Sequence, residues 1–223
     1  MRENFSKYFS FCIAWVLSVG AFAQFDFKGG QLQESIFLEP IGDSIQAHPD
    51  YDSIQFELRF WTFHGYSGLL VLSYRQDQHW SASKGLMGKG KMNMSAEELP
   101  SGFDALWSRL DSLGILSLPH QDSLTYRYND GTRVRSVRPP RVAGHTFIKR
   151  HPEDPTYVVE LFASHKYRYY SYHNPVELGK DFGPGEWESP ETVQFAAIVQ
   201  LLVKTFDLEA MRRAIEDPYD DKN

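Results

Sequence analysis

The most chemically loaded stretch of the chain is HKYRYYSYHNP, residues 165–175. It packs four tyrosines, a lysine, an arginine and two histidines into eleven positions. Aromatic rings beside imidazoles could stack on a sugar and hydrogen-bond its hydroxyls, and histidines are the usual acid–base groups near neutral pH. The same spacing fits a β-strand, whose side chains alternate between two faces. Tyr170 and Tyr172 then share one face with Arg168, while Tyr167, Tyr169, Ser171 and His173 share the other. A two-residue turn at His165-Lys166 sets Tyr170 and Tyr172 against Leu161 and Val159 as a core face, with Glu160, Ser171 and His173 on the polar side. A three-residue turn reverses the assignment, because a one-residue slip exchanges the faces. We take the first. Tyr167, Tyr169 and His173 are the binding candidates it leaves, although cross-strand packing of aromatics explains the same tyrosines.

A second candidate is RVRSVRPPR, with Arg133, Arg135, Arg138 and Arg141. Forked guanidiniums bind carboxylates or anionic sugars, which puts Arg135 and Arg138 beside the tyrosines as binding candidates. The competing account is a solvated sheet edge whose charge opposes strand-to-strand aggregation.

Other motifs fall short of their chemistry. GLMGKGKM, residues 85–92, matches a phosphate-cradling loop except that Met92 stands where Ser or Thr would hold magnesium, and no helix follows before Pro100. GYSG, residues 65–68, lacks one residue of a nucleophile elbow and joins two strands rather than a strand and a helix. The eight histidines are His48, His64, His79, His120, His145, His151, His165 and His173, and none has the spacing that places two imidazoles on one helical face toward zinc. No catalytic residue, metal ligand or cofactor is assigned.

The address of the chain lies at its start. Arg2 and Lys7 precede the apolar run FCIAWVLSVGAFA and the small residues Ala21 and Ala23, the order of a secretory signal peptide over residues 1–23 with cleavage before Gln24. The run is shorter than a membrane span, and no later stretch is long enough to cross a bilayer. Cys12, the single cysteine, leaves with the leader, so the mature core is held by packing without disulfides. The remaining chain carries 21 basic and 28 acidic residues, a net −7, which argues against nucleic acid as a partner. A periplasmic or extracellular location follows, with a glycan or an envelope protein as the partner.

The elements that position these residues are read from periodicity. Ile54, Phe56, Leu58 and Phe60 alternate with Gln55, Glu57 and Arg59 as a half-buried strand, HGYSG turns, LLVLSYR returns, and HWSAS adds a third strand. MGKGKMNMSAEELP reads as a loop. Ser101 is expected to cap a helix whose stripe is Phe103, Leu106, Trp107, Leu110 and Leu113, with Gly114 ending it. Residues 124–163 return to strand composition, strongest in TYVVELFA. Ser189 and Pro190 open a last helix with Phe195, Ile198, Val199, Leu202 and Phe206 on one face. The spans are a single α+β domain over residues 24–216 and a disordered acidic tail over 217–223.

The phrases FELRFWTFHG, FDALWSRLDSLGILSLP, YVVEL and YRYYSYHNP, in this order over residues 54–206, resemble a group of uncharacterised exported proteins of Bacteroidetes-type bacteria. The resemblance implies export and brings no activity and no site residues. The expected fold is α+β: a mostly antiparallel sheet of about six strands with two packed helices. The expected function is that of an exported non-enzymatic domain of the cell envelope or exterior binding a partner or ligand. The alternative is a secreted hydrolase acting on glycan or peptide.

Overall fold

The computed structural model of the protein describes residues 25–28, 30–31, 49–64, 67–88, 91–129, 131, 133–137, 154–163, 166–178 and 187–210. The leader over 1–23, the acidic tail, Arg138 and Arg141, and His48, His145, His151 and His165 lie outside these residues.

The alternation that begins at Ile54 produces the centre of the fold. Strands β1 (Gly30–Gln31), β2 (Ile54–Phe63), β3 (Ser67–Arg75), β4 (Trp80–Gly88) and β5 (Lys91–Glu97) precede helix α1 (Phe103–Ser112). A 3-10 turn (Gln121–Ser123) follows, then β6 (Tyr126–Asn129), β7 (Val134–Val137), β8 (Thr156–Ala163), β9 (Lys166–His173), α2 (Pro175–Leu178), β10 (Trp187–Glu188) and α3 (Pro190–Thr205). The main sheet runs β1-β9-β8-β2-β3-β4-β5 and is antiparallel throughout. Six of its strands have seven residues or more, and β1 adds a two-residue edge. A smaller antiparallel sheet, β10-β6-β7, is not hydrogen-bonded to it, although Tyr126 of β6 is buried in the same core cluster. The α+β reading therefore holds, with two helices longer than two turns among the described residues.

The period of two assigns one sheet face to the helices. Phe56, Leu58 and Phe60 of β2, Leu70 and Leu72 of β3, Val159 and Leu161 of β8, and Tyr170 and Tyr172 of β9 are all buried in one cluster with α1 and α3. From α1 come Phe103, Trp107 and Leu110, and from α3 come Phe195, Ile198, Val199 and Leu202, the stripes expected from the sequence. Tyr172 stacks on Phe195 at 4.3 Å and Trp80 packs on Trp107 at 4.7 Å.

The helix ends differ from expectation at one point. Ser189 caps α3 as expected, its Oγ accepting the Thr192 N–H at 3.0 Å, with Pro190 in the first turn. At α1 the cap is Gly102 in a left-handed conformation, φ 77°, with no side-chain hydrogen bond, so Ser101 stands one residue too early. The other end matches: Gly114 takes φ 82°, its N–H bonds to Asp111 O at 2.8 Å, and the Ile115 N–H reaches Leu110 O at 3.2 Å. That paired closure is the Schellman motif, sealed by the buried side chains of Leu110 and Ile115.

Two further expectations are corrected. The stretch read as a loop after Met87 is the β4–β5 hairpin, since Met92, Met94 and Ala96 alternate with Asn93 and Ser95 on a strand. A Cβ at Gly85 would collide with Met94 and the Asn93 backbone, so glycine is what lets β4 and β5 close at that pair. The hairpin also removes the phosphate-loop reading, which needed a helix after the glycines. In the β8–β9 hairpin Ala163 pairs with Lys166, one residue earlier than expected, which sets Tyr170 against Val159 and Tyr172 against Tyr157. A shift of two residues in partner preserves the faces, and the core assignment of Tyr170 and Tyr172 stands.

Candidate functional site

Strand β9 is where the chemically active side chains converge. Its helix-side tyrosines are anchored by the backbone of residues 115–119: the Tyr170 hydroxyl donates to Ile115 O at 2.6 Å and that of Tyr172 to Pro119 O at 2.9 Å. Arg168 donates to the carbonyls of Leu116, Ser117 and Leu118, and burial lowers its pKa. Burial likewise pushes both phenols up, Tyr170 well above the usual tyrosine range. These groups stay uncharged or fully paired, and they fasten the segment after α1 to the sheet.

The opposite face was expected to be polar and open. It is largely buried. Tyr167, proposed as stacking surface, is only 3% exposed and donates its hydroxyl to Glu160 Oε1 at 2.7 Å. The Trp61 indole donates to Glu160 Oε2 at 2.6 Å, so both oxygens of a fully buried carboxylate are engaged. Arg59 sits directly across β2 from Glu160. Its Nε lies 2.7 Å from Glu57 Oε1 and its guanidinium lies 4.6 Å from the centre of the Phe162 ring. Ser73 Oγ completes Glu57 by donating to Oε2 at 3.0 Å. The Tyr51 phenol near this group is pushed up to about 12, by burial first and by the Glu57 charge second, with Arg59 opposing. Carboxylates held this way stabilise a charge network. They are poor acid–base groups because no oxygen is turned to solvent.

Tyr169 is the most exposed β9 side chain on this face, at 39%, with Ser171 partly buried beside it. Its ring stacks on Tyr167 at 6.1 Å and meets the His120 ring edge-on at 5.8 Å. His120, Ser171 and Asp122 form an array that resembles a serine–histidine–aspartate triad in its contacts: Ser171 Oγ lies 3.0 Å from His120 Nε2, and Asp122 Oδ2 lies 3.8 Å from Nδ1. The protons run the wrong way for one. His120 Nδ1 accepts the backbone N–H of Asp122 at 3.2 Å, capping the 3-10 turn, so the neutral ring carries its proton on Nε2. Nε2–H then donates to Ser171, and the ring has no lone pair left to take the hydroxyl proton. A triad requires the reverse tautomer.

His173 is also committed. Its backbone N–H donates to Gln121 Oε1 at 2.7 Å, Nδ1 pairs with Thr156 Oγ1 at 2.9 Å, and Nε2 lies 3.5 Å from Asp154 Oδ2. It is buried, and with Ser171–His120 it ties the 3-10 turn to β9 at two successive points of one face.

Of the residues nominated from sequence, the structure therefore gathers Tyr167, Tyr169 and His173 on one strand face and leaves Tyr169 alone accessible there. Arg135 pairs with Tyr128 in the β6–β7 register, in the smaller sheet rather than beside β9. Glu160 and Ser171 lie on the face where the alternation put them, and His120 is the neighbour that sequence reasoning did not connect. His120 and Ser171 are 51 residues apart, and no local pattern encodes such a meeting. Among the described residues no three His, Cys, Asp or Glu side chains converge to hold a metal ion, and no helix is long and apolar enough to cross a membrane. No family model matches the chain, and no curated protein matches it.

Proposed function

We propose that the protein is an exported, non-enzymatic domain of the cell envelope or exterior that binds a glycan on the Tyr169 face of β9. The observation that carries this reading is the setting of Tyr169. It is 39% exposed, and it is braced by Tyr167 and His120 rather than free to swing. A fixed ring beside hydroxyl and imidazole groups suits the apolar face and the hydroxyls of a sugar. The contacts of Ser171, His120 and Asp122 favour a hydrolase as the second reading, and the tautomer that caps the turn weighs against it.

Cellohexaose, xylohexaose, chitohexaose and mannohexaose are suitable probes, read by chemical-shift changes of the tyrosine rings. At least one is expected to shift Tyr169, with affinity falling about tenfold, or about 1.4 kcal/mol, in Tyr169→Ala and largely kept in Tyr169→Phe. No shift with any of the four would overturn the glycan reading, and release of new reducing ends would favour the hydrolase.

Export is supported by the order of charged, apolar and small residues over 1–23. N-terminal sequencing of the exported protein is expected to start at Gln24, as such or cyclised to pyroglutamate. Recovery of Met1 or Cys12 in the mature protein would refute it.

A further inference from the structure

We propose that His120 is a proton-operated gate on the Tyr169 surface, an inference that takes its biological meaning from the glycan reading of that surface. Three contacts carry it. Neutral His120 caps the 3-10 turn by accepting the Asp122 N–H on Nδ1, holds β9 by donating from Nε2 to Ser171 Oγ, and presents its ring edge to Tyr169. Imidazoles take up a proton between about pH 5 and pH 8. The second proton must go to Nδ1, the atom that accepts the amide. Nδ1–H and the Asp122 N–H then face each other as two donors, and the cap is lost.

A replacement acceptor is already in place. Asp122 Oδ2 lies 3.8 Å from Nδ1, too far for a strong hydrogen bond and near enough to become one if the ring turns toward it. Nε2–H keeps its hold on Ser171 throughout, so the ring pivots about that bond. The edge offered to Tyr169 changes with it. Acid thus exchanges a neutral backbone cap for a side-chain ion pair and moves the brace of the exposed tyrosine.

The other charged or titratable groups around this pivot are few among the described residues. Asp122 belongs to the same turn. Tyr169 and His173 face it from β9, Asp154 stands at His173 just before β8, and Glu160 pairs with Tyr169 across the β8–β9 ladder. His173 is the competing titration, and its ring is engaged with Thr156 and Asp154 instead of the turn's cap. Gln121 Oε1 holds the His173 backbone N–H, a bond with no titratable atom, so the turn remains attached to β9 when the cap opens.

The test is a titration of the full mature chain from pH 8 to pH 5, following the imidazole signals of His120 and His173, the Tyr169 ring and the exchange rate of the Asp122 amide. The Tyr169 shift is expected to share the midpoint of His120. The Asp122 amide, corrected for intrinsic exchange, is expected to lose about tenfold or more in protection on the acid side, a change of about 1.4 kcal/mol in opening. In His120→Asn, which caps a turn equally well and does not titrate, the Tyr169 shift should be flat and the amide protected throughout. Asp122→Asn keeps the amide and removes the carboxylate, so the His120 midpoint should fall. A wild-type Tyr169 that ignores the His120 titration would overturn the gate. A titration that persists in His120→Asn would reassign it to His173, and an unmoved His120 midpoint in Asp122→Asn would remove the ion pair. Failure of the sugars to bind at any pH bears on the glycan reading and leaves these signals to be read on their own.

Discussion

Replacing Arg59 with alanine is expected to destabilise the protein by about 3–5 kcal/mol, the scale for breaking a buried ion pair by removing one partner. Arg59 is 2% exposed and lies between Glu57, which it contacts at 2.7 Å, and Glu160, its partner across β2–β8. Without the guanidinium, Glu57 keeps the Ser73 hydroxyl as a donor to Oε2 and remains buried. Glu57 must then take up a proton or carry an uncompensated charge. Urea melts of both proteins at pH 7 measure this. A deficit under about 1 kcal/mol would mean that the guanidinium is solvated and the far face open.

The tyrosines of β9 should separate into a group of three and a single outlier. Tyr167→Ala, Tyr170→Ala and Tyr172→Ala are each expected to cost about 3–5 kcal/mol, the range for truncating a buried aromatic. Tyr169→Ala should cost about 1 kcal/mol or less. Tyr→Phe discriminates further. At 167 it takes one of two donors from the buried Glu160 carboxylate, at 170 and 172 it frees the Ile115 or Pro119 carbonyl, and each should cost about 1–3 kcal/mol. Denaturant melts of the seven variants give the order directly. A mild Tyr167→Ala would show that face to be uncovered, while a costly Tyr169→Ala would make its exposed ring part of the core.

These two predictions mark where the sequence was informative and where it fell silent. Alternation correctly placed Tyr170 and Tyr172 on the face of Val159 and Leu161, though not opposite the expected partners, because a period of two survives a turn misplaced by one residue when the partner shift is even. The stripes of α1 and α3 were legible for the same reason, since burial on one face imposes a period. Periodicity says which residues share a face. It does not say whether that face is covered. Glu57, Arg59 and Glu160 looked like the solvent side of a half-buried strand, and the structure buries them by mutual pairing and by the Trp61 and Tyr167 donors. The strand β5 was hidden by the glycines and lysine that precede it in the sequence, although Met92, Met94 and Ala96 kept the alternation. The His120–Ser171 contact had no local signal, because it depends on the segment after α1 being drawn along β9 by Arg168 and the two helix-side tyrosines.

The pairing of β2 with β8 also governs how the chain reaches this state. Hairpins β2–β3, β3–β4, β4–β5 and β8–β9 each join neighbours in sequence, whereas the β2–β8 seam closes a loop that holds residues 64–155 and brings together groups as distant as Trp61 and Glu160, 99 residues apart. Closing such a loop fixes much chain before the contacts compensate, and topologies dominated by distant pairings fold slowly for that reason. The equilibrium penalty grows only logarithmically, about 0.6 kcal/mol for each doubling of loop length. Inserted length between the two strands of the seam therefore burdens the rate of assembly far more than the final balance, and until the seam closes the edges of β2 and β8 stand open to pairing with another chain.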